Sequence, residues 1–576
     1  MSEMAATGEP ETGSDAYAGG PSVGDAGSKP GAPFHRFLIS SITVLALSLR
    51  LWGITWSLPN EDRLFTYHPD EGVNLINGVL ENGNPGPHLD LGFYNYGSVY
   101  FYLWQGAVAI NCSYGFVRLP PTGAPTDPSP NSIASMILLG RLLSALLGAL
   151  SVPLLITLGT RLFGRSAGLM AGATFAVMPL AVVHSHFATV DVTATFFVCL
   201  ALAAGARLLE SGRWADVLRA GICCGIAAAT KYTCALVVLA PVIALLGSHR
   251  KSAGSCLVRV AFLTAAAAAG FCGACPGIIL NWPKFSHDFL FELQKSGEGM
   301  GLLFVDTGPG WVYHVTNSLR YGLGLMPLAV TMLAVVYALV KGTRQDWYLL
   351  AFLLPYYLVV GAAQVKFARY MIPIFPVFAV LIGRLAVGPS PSRPALQKLS
   401  AGFVSLAVIS GALMSLSFDR AMASPDARDR AHEWMRENLH DGAVIGFARL
   451  PWYDVPPLAP EFTAPFPALR REGAERLTRF KCRLPETNTE LDRSIFRFNS
   501  LDGVVVSDLA TEDWERLDYP TWKKFKPYLE TRFRAEEFTT IVWTGGWSLA
   551  KPHYLPNDIL YVCPRITVYL GFADRI

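Results

Sequence analysis

Apolar runs long enough to cross a bilayer recur between residues 37 and 418, and no other feature restricts the fold of this chain as much. A spanning helix needs about 20 mostly apolar residues. About eleven segments qualify by that measure: 37–57, 133–160, 167–186, 190–209, 215–232, 234–248, 256–280, 321–340, 346–362, 370–387 and 399–418. Several are short or broken by Pro and Gly, which membrane helices tolerate. Only 16% of the residues are charged, against roughly 25% in a soluble protein. The net charge of +3 is too small to suggest a nucleic-acid partner.

Basic residues mark the sides. With the N-terminus inside, Arg161, Arg165, Arg207, Arg213, Arg219, His249, Arg250, Lys251, Lys341, Arg344, Arg384, Arg393 and Lys398 all fall in short cytoplasmic loops, as the positive-inside rule requires. Residues 58–132, 281–320 and 363–369 are then outside. The segment Ser98–Val117 is apolar enough to span, yet spanning would put every later basic loop outside. Its Tyr and Trp content suits a helix lying along the outer interface.

Three domains follow. Residues 1–34, rich in Gly, Ala, Ser, Pro and acids, read as a disordered cytoplasmic tail. Residues 35–418 form the membrane domain, and 419–576, where charge and Pro rise, form an extracytoplasmic α/β domain. In the last, Ser424–Leu439 reads as an amphipathic helix capped by Ser424. Strands are expected at 443–448, 503–507, 539–544 and 565–570, and Thr511–Phe533 reads as helical around Pro520. Cys482 and Cys563 leave a disulfide open outside the cytoplasm.

Four groups of residues point to chemistry. Asp70 and Glu71, in "YHPDEG", are acids beside a membrane helix, where charge is costly and usually has a task or a partner. They suit a general base for a hydroxyl or amine, or an N-cap with Asp70 opening a short helix. In "HSHFATVDVTATFF", His184 and His186 could join His68 around a divalent metal, but the HxH spacing is not that of helical ligands; loop hydrogen bonding competes with that reading. Asp191 tops the next helix, where capping competes with a role in catalysis. Lys231 ends an uncharged helix, which snorkelling alone would explain. Lys366, Arg369 and Tyr370 put positive charge on the outer side; that suits lipid headgroups or a phosphate site. Carboxylates, cations and aromatic residues therefore converge on one membrane face. Group transfer from a lipid-borne phosphate needs both a base and cations.

The motifs "HPDEG", "NYGSVYFYLWQ", "GRLLSALLGALSVPLLITLGTRLFG", "DVTATFF", "AAATKYT" and "VKFARYMIPIFPVFAV", in that order over residues 37–390, resemble the GT-C superfamily of membrane glycosyltransferases. The likeness is to the protein O-mannosyltransferase and aminoarabinose-transferase branch, including bacterial sugar transferases that use polyprenyl phosphates. It implies a polytopic helical GT-C fold in a bacterial inner membrane. It also implies inverting transfer from a polyprenyl-phosphate-linked sugar to a glycan, lipid or protein acceptor. Asp70 would be the base, with Glu71 orienting it or binding acceptor. Lys366, Arg369 and, more weakly, Lys231 would hold the donor phosphate. Asp191 would bind sugar or support Asp70, and Tyr94, Tyr96 and Tyr370 would contact substrate. "YNYGSVY" stands where the aminoarabinose branch has Lys-Pro-Pro, which argues against a lipid A acceptor. No insertion of the eukaryotic mannosyltransferase kind supports a protein acceptor. The rival activity is a non-enzymatic lipid or sugar transporter or flippase, but such proteins often show two similar halves, and these halves differ. A bare membrane anchor would need one helix.

Overall fold

The structure, a computed structural model, describes residues 32–81, 84–85, 89–114, 129–247, 253–388, 394–458, 479–483, 501–545 and 555–571. The expected tail lies almost wholly outside these residues, as do His249, Arg250, Lys251 and Arg393. All of the expected spanning segments are helical. Among the described residues, six helices are long and apolar enough to cross a membrane: Pro33–Leu51, Pro130–Phe163, Val190–Leu209, Ala253–Ala274, Ala368–Val387 and the start of Pro394–Asn438. Tyr232–Leu246 and Leu325–Lys341 are shorter apolar helices. The segment expected at 167–186 breaks into Arg165–Ala176 and Pro179–His184, because Pro179 cannot donate to the preceding turn.

Small residues let these helices approach. A Cβ on Gly168 would lie 2.4 Å from the Ile156 carbonyl oxygen, and one on Gly383 would lie 2.2 Å from the Ala167 oxygen. Gly at both positions lets the helix Arg165–Ala176 fit between its neighbours.

The segment proposed to lie along the interface is a helix over Val99–Ser113. At 1.5 Å per residue it is about 22 Å long, short of the ~30 Å hydrocarbon core. It packs on the helix Pro130–Phe163: Trp104 Nε1 donates to the Met136 oxygen at 2.8 Å and Tyr100 Oη to the Gly140 oxygen at 3.0 Å.

Two short antiparallel strands, β1 (Leu80–Glu81) and β2 (Asn84–Pro85), lie in the long loop before that helix. The C-terminal domain is a mixed sheet of β3 (Val444–Phe447), β4 (Lys481–Arg483), β5 (Gly503–Ser507), β6 (Phe533–Thr539) and β7 (Arg565–Gly571), in the order β4-β3-β5-β7-β6. β3 runs parallel to β4 and β5, and β7 antiparallel to β5 and β6.

Two expectations are corrected here. The strand placed at 539–544 is Phe533–Thr539, since β7 offers partners only from Gly571 opposite Phe533 to Arg565 opposite Thr539. Beyond it, the Trp543 amide donates instead to Ser417 Oγ at 2.7 Å. The amphipathic helix starts at Ala427 and is capped by Asp426, whose Oδ1 accepts the Arg428 N–H at 2.9 Å. Ser424 precedes Pro425, which disfavours helical geometry before it, and its Oγ donates back to the Arg420 oxygen at 2.8 Å. Cys482 and Cys563 donate their thiols to the carbonyls of Leu458 and Ile559, at 3.4 and 3.3 Å.

The two parts are latched together through the loop after the first helix. Arg63 Nη1 donates to both Asp429 oxygens at 2.5 and 2.6 Å, Tyr67 Oη to Asp429 Oδ1 at 2.5 Å, and Trp56 Nε1 to Asp426 Oδ2 at 3.1 Å. Trp56, Phe65, Tyr67, Phe187, Phe418, Ile559 and Tyr561 pack into one buried cluster there.

Candidate functional site

His68 closes an extended stretch (φ −96°, ψ 118°), and its Nδ1 accepts the Asp70 amide at 3.2 Å. It is thus the N-cap of the helix Pro69–Asn74. Pro69 fills the first helical position, where its φ fits and its missing N–H would have had no partner. The reading of Asp70 as the cap is corrected: His68 takes that place. Both acids occupy the first turn, where the helix dipole favours negative charge.

From that turn the two carboxylates part. Glu71 is fully buried and faces Arg141 on the helix Pro130–Phe163. Arg141 Nε and Nη2 donate to its two oxygens at 2.7 Å each, and the Ala188 amide donates to Oε1 at 2.9 Å. Arg141 Nη1 donates further to the carbonyls of Ile54 and Trp56 at 2.8 and 2.5 Å. Burial would push the Glu71 carboxyl up, but the Arg141 guanidinium reverses this and holds it below the usual carboxylate range. Glu71 is not among the residues lining the cavity described next. Its partners fix the turn that presents Asp70.

Asp70 faces a cavity of about 960 Å³ between the membrane domain and the C-terminal domain. It is 28% exposed, and its Oδ2 lies 3.1 Å from Arg369 Nη2. Arg369 also donates from Nη1 to Asp558 Oδ1 at 2.5 Å and from its amide to Asp558 Oδ2 at 3.2 Å. Asp558 is fully buried and belongs to the C-terminal domain, so one guanidinium joins the two parts of the protein at the site. The membrane domain lines the cavity with Val73, Ile76, Ile133 and Ile137, and Tyr96 and Tyr370 reach it as expected.

The other expected residues are placed elsewhere. Lys366 Nζ donates to Thr307 Oγ1 at 2.9 Å and the Gly308 oxygen at 2.6 Å, and it does not line the cavity. It ties down the 307–308 loop. Lys231 Nζ donates to Asp191 Oδ1 at 2.6 Å, both are buried, and neither lines the cavity. They touch the site only indirectly, with the Lys231 ammonium 4.7 Å from the centre of the Tyr370 ring. Tyr94 is buried, its Oη donating to Asp90 at 2.5 Å, and does not line the cavity either.

The three histidines do not share a centre. His186 points its Nδ1 and Nε2 at the carbonyls of Val182 and Trp52, at 2.9 and 3.0 Å. His184 packs edge-on to Phe187 with centroids 5.5 Å apart, and His68 packs on the same ring at 4.4 Å. Among the described residues no group of three His, Cys, Asp or Glu side chains is placed to hold a metal. His68, His184 and His186 therefore do not form a metal centre with one another. Burial pushes the His68 imidazole down to about 3, more than offsetting the upward pull of Glu71.

Two important residues escaped the sequence reading. Arg141 was visible as a lone charge in an apolar helix, the usual sign of a buried partner. Asp558 had only a weak signal, an acid inside the apolar run "LPNDILYV". Nothing in the order of residues places it beside Arg369.

A helical membrane body, a small mixed-sheet domain and an acid–guanidinium pair in the cavity between them describe a polytopic helical membrane protein. The family model for dolichyl-phosphate-mannose-protein mannosyltransferase matches residues 135–276, about a quarter of the chain, and bears out the GT-C resemblance there. No curated protein sequence matches the chain. Among solved structures, ArnT from Cupriavidus metallidurans bound to undecaprenyl phosphate is 13% identical, with 90% of this chain and 100% of that chain covered and a TM-score of 0.47. AglB from Archaeoglobus fulgidus, in complex with an inhibitory peptide and a dolichol-phosphate, is 14% identical over 90% of this chain and 74% of its own, with a TM-score of 0.46. The S. cerevisiae Pmt1-Pmt2 complex bound to its sugar donor is 19% identical over 44% and 34%, with a TM-score of 0.32.

Proposed function

We propose that this protein is an inverting glycosyltransferase that moves a sugar from a polyprenyl-phosphate donor to an acceptor at the outer face of a bacterial inner membrane. One observation carries the reading: Asp70 is a partly exposed carboxylate in a large cavity, held 3.1 Å from Arg369. Asp70 takes the proton of the acceptor hydroxyl as that oxygen bonds to the anomeric carbon. The bond from that carbon to the phosphate oxygen breaks on the opposite face. Its electron pair leaves with polyprenyl phosphate, and the anomeric centre is inverted. A guanidinium has five N–H donors, so Arg369 can bind Asp70 and Asp558 and still offer an N–H to the phosphate oxygen, where charge grows. The apolar lining from Val73, Ile76, Ile133 and Ile137 suits a prenyl chain.

The test is transfer from labelled polyprenyl-phosphate hexoses to a membrane extract by the purified protein, beside Asp70→Asn. Removing a general base lowers the rate by about 10²–10⁴-fold. Transfer that survives unchanged in the variant removes Asp70 as base, and transfer from a nucleotide sugar alone overturns the donor class.

A further inference from the structure

We infer that the wall of the cavity supplied by the C-terminal domain is a carbohydrate-binding subsite, so that the acceptor is a glycan. This rests on the transferase reading above and narrows it to one acceptor class. Aromatic rings from both domains line the cavity, Tyr96 and Tyr370 among them, and the C-terminal domain adds Trp452, Tyr453, Tyr519 and Tyr561 together with the carboxylates of Asp454 and Asp513.

Three of these rings lead to the reacting end. The Trp452 and Tyr453 centroids are 5.0 Å apart, those of Tyr453 and Tyr561 are 5.5 Å apart, and Tyr561 lies 5.2 Å from the ring of His68. His68 caps the helix that carries Asp70. The series starts at Trp452, which is 48% exposed, and ends two residues before the base. Asp454 Oδ1 accepts the Trp452 amide at 3.2 Å and so fixes the exposed end of the series.

A sugar ring has apolar C–H faces and a rim of hydroxyl donors. Aromatic rings offer broad apolar area with a polar tip, and carboxylates accept several hydrogen bonds each. A wall that mixes the two matches both features of a glycan. An acyl chain needs neither the acids nor the Tyr hydroxyls. A peptide acceptor read through its backbone would add to a sheet edge. Among the described residues the edges are β4 and β6, and none of their residues lines the cavity.

The experiment is saturation-transfer NMR on the full-length protein in nanodiscs. The probes are a panel of hexose, hexosamine and heptose oligosaccharides, with undecaprenyl phosphate in a separate arm. At least one oligosaccharide is expected to bind. Trp452→Ala should weaken it about tenfold, the size of one good aromatic contact, while Trp452→Phe keeps most of the affinity. Undecaprenyl phosphate should bind both variants like the wild type. If no oligosaccharide binds while undecaprenyl phosphate does, or if Trp452→Ala leaves glycan affinity unchanged, the inference is overturned and the transferase reading stands. Glycan binding without undecaprenyl phosphate binding keeps the subsite and removes the donor class. Binding of neither overturns both.

Discussion

Asp70 and Glu71 are adjacent in one short helix, yet their surroundings differ in almost every respect. Behind the helix, Glu71 sits in a closed network: both oxygens are engaged by Arg141 and the Ala188 amide, and solvent does not reach it. In front, Asp70 is partly exposed, holds one partner and borders a cavity. The first arrangement is saturated and so can only hold structure. The second keeps acceptor capacity directed at the cavity. A pair of neighbouring acids at a membrane face can thus divide the work, with one fixing the turn and the other presented by it.

Isosteric amide substitutions should separate the two most widely. Glu71→Gln leaves the Arg141 guanidinium buried without its counter-charge. Breaking a buried pair in this way costs about 3–5 kcal/mol, so the protein should unfold at a much lower temperature in detergent and accumulate poorly. Asp70→Asn should keep the wild-type unfolding temperature and lose transfer activity instead. If both substitutions lowered stability equally, the contrast between a structural and a presented acid would fail.

A smaller effect is expected from across the domain boundary. Asp558→Ala removes a buried carboxylate from Arg369 while sparing Asp70 itself. Hydrogen bonds to charged groups are worth about 1.5–3 kcal/mol. Transfer should therefore fall by roughly 10- to 150-fold, chiefly in kcat, as Arg369 loses its fixed position. Steady-state kinetics against donor concentration distinguish this from lost binding. A change confined to the KM for donor would make Asp558 a binding determinant rather than a positioning residue.

These contrasts explain what the sequence could and could not reveal. The spanning helices were legible because bilayer thickness sets the length of each apolar run, and three of the four expected strands were legible from β-forming runs bounded by turn residues. That acids and cations gather at one site was legible from the cost of charge at a membrane face. Which cations meet which acids was not. Lys366 and Arg369 are three residues apart and carry the same charge, but one binds a loop carbonyl and the other two carboxylates. That choice depends on packing between segments nearly 190 residues apart, and local pattern carries no record of it. The edge strand β6 was misplaced for a related reason, because its limits are set by the length of β7 rather than by its own residues.

The last contrast concerns His68, which touches both surroundings: it caps the shared helix and its ring borders the cavity. Its imidazole is held down to about 3 by burial, while Glu71 and Asp558 pull it up and Arg369 and His184 pull it further down. The unfolded chain has a His pKa near 6.5 and therefore binds a proton first as pH falls. The contribution of His68 to stability is complete above about pH 6.5 and declines as pH drops toward 3, by at most about 1.4 kcal/mol per pH unit. His68→Asn keeps a good capping side chain and removes the titration. Its unfolding temperature should match the wild type at pH 5 or exceed it, and its stability should fall less steeply from pH 6 to pH 4. Parallel pH profiles for the two proteins would mean that the acid sensitivity resides elsewhere. The capping role would then have to account for His68 alone, and an Ala at this position should cost about 1 kcal/mol at every pH.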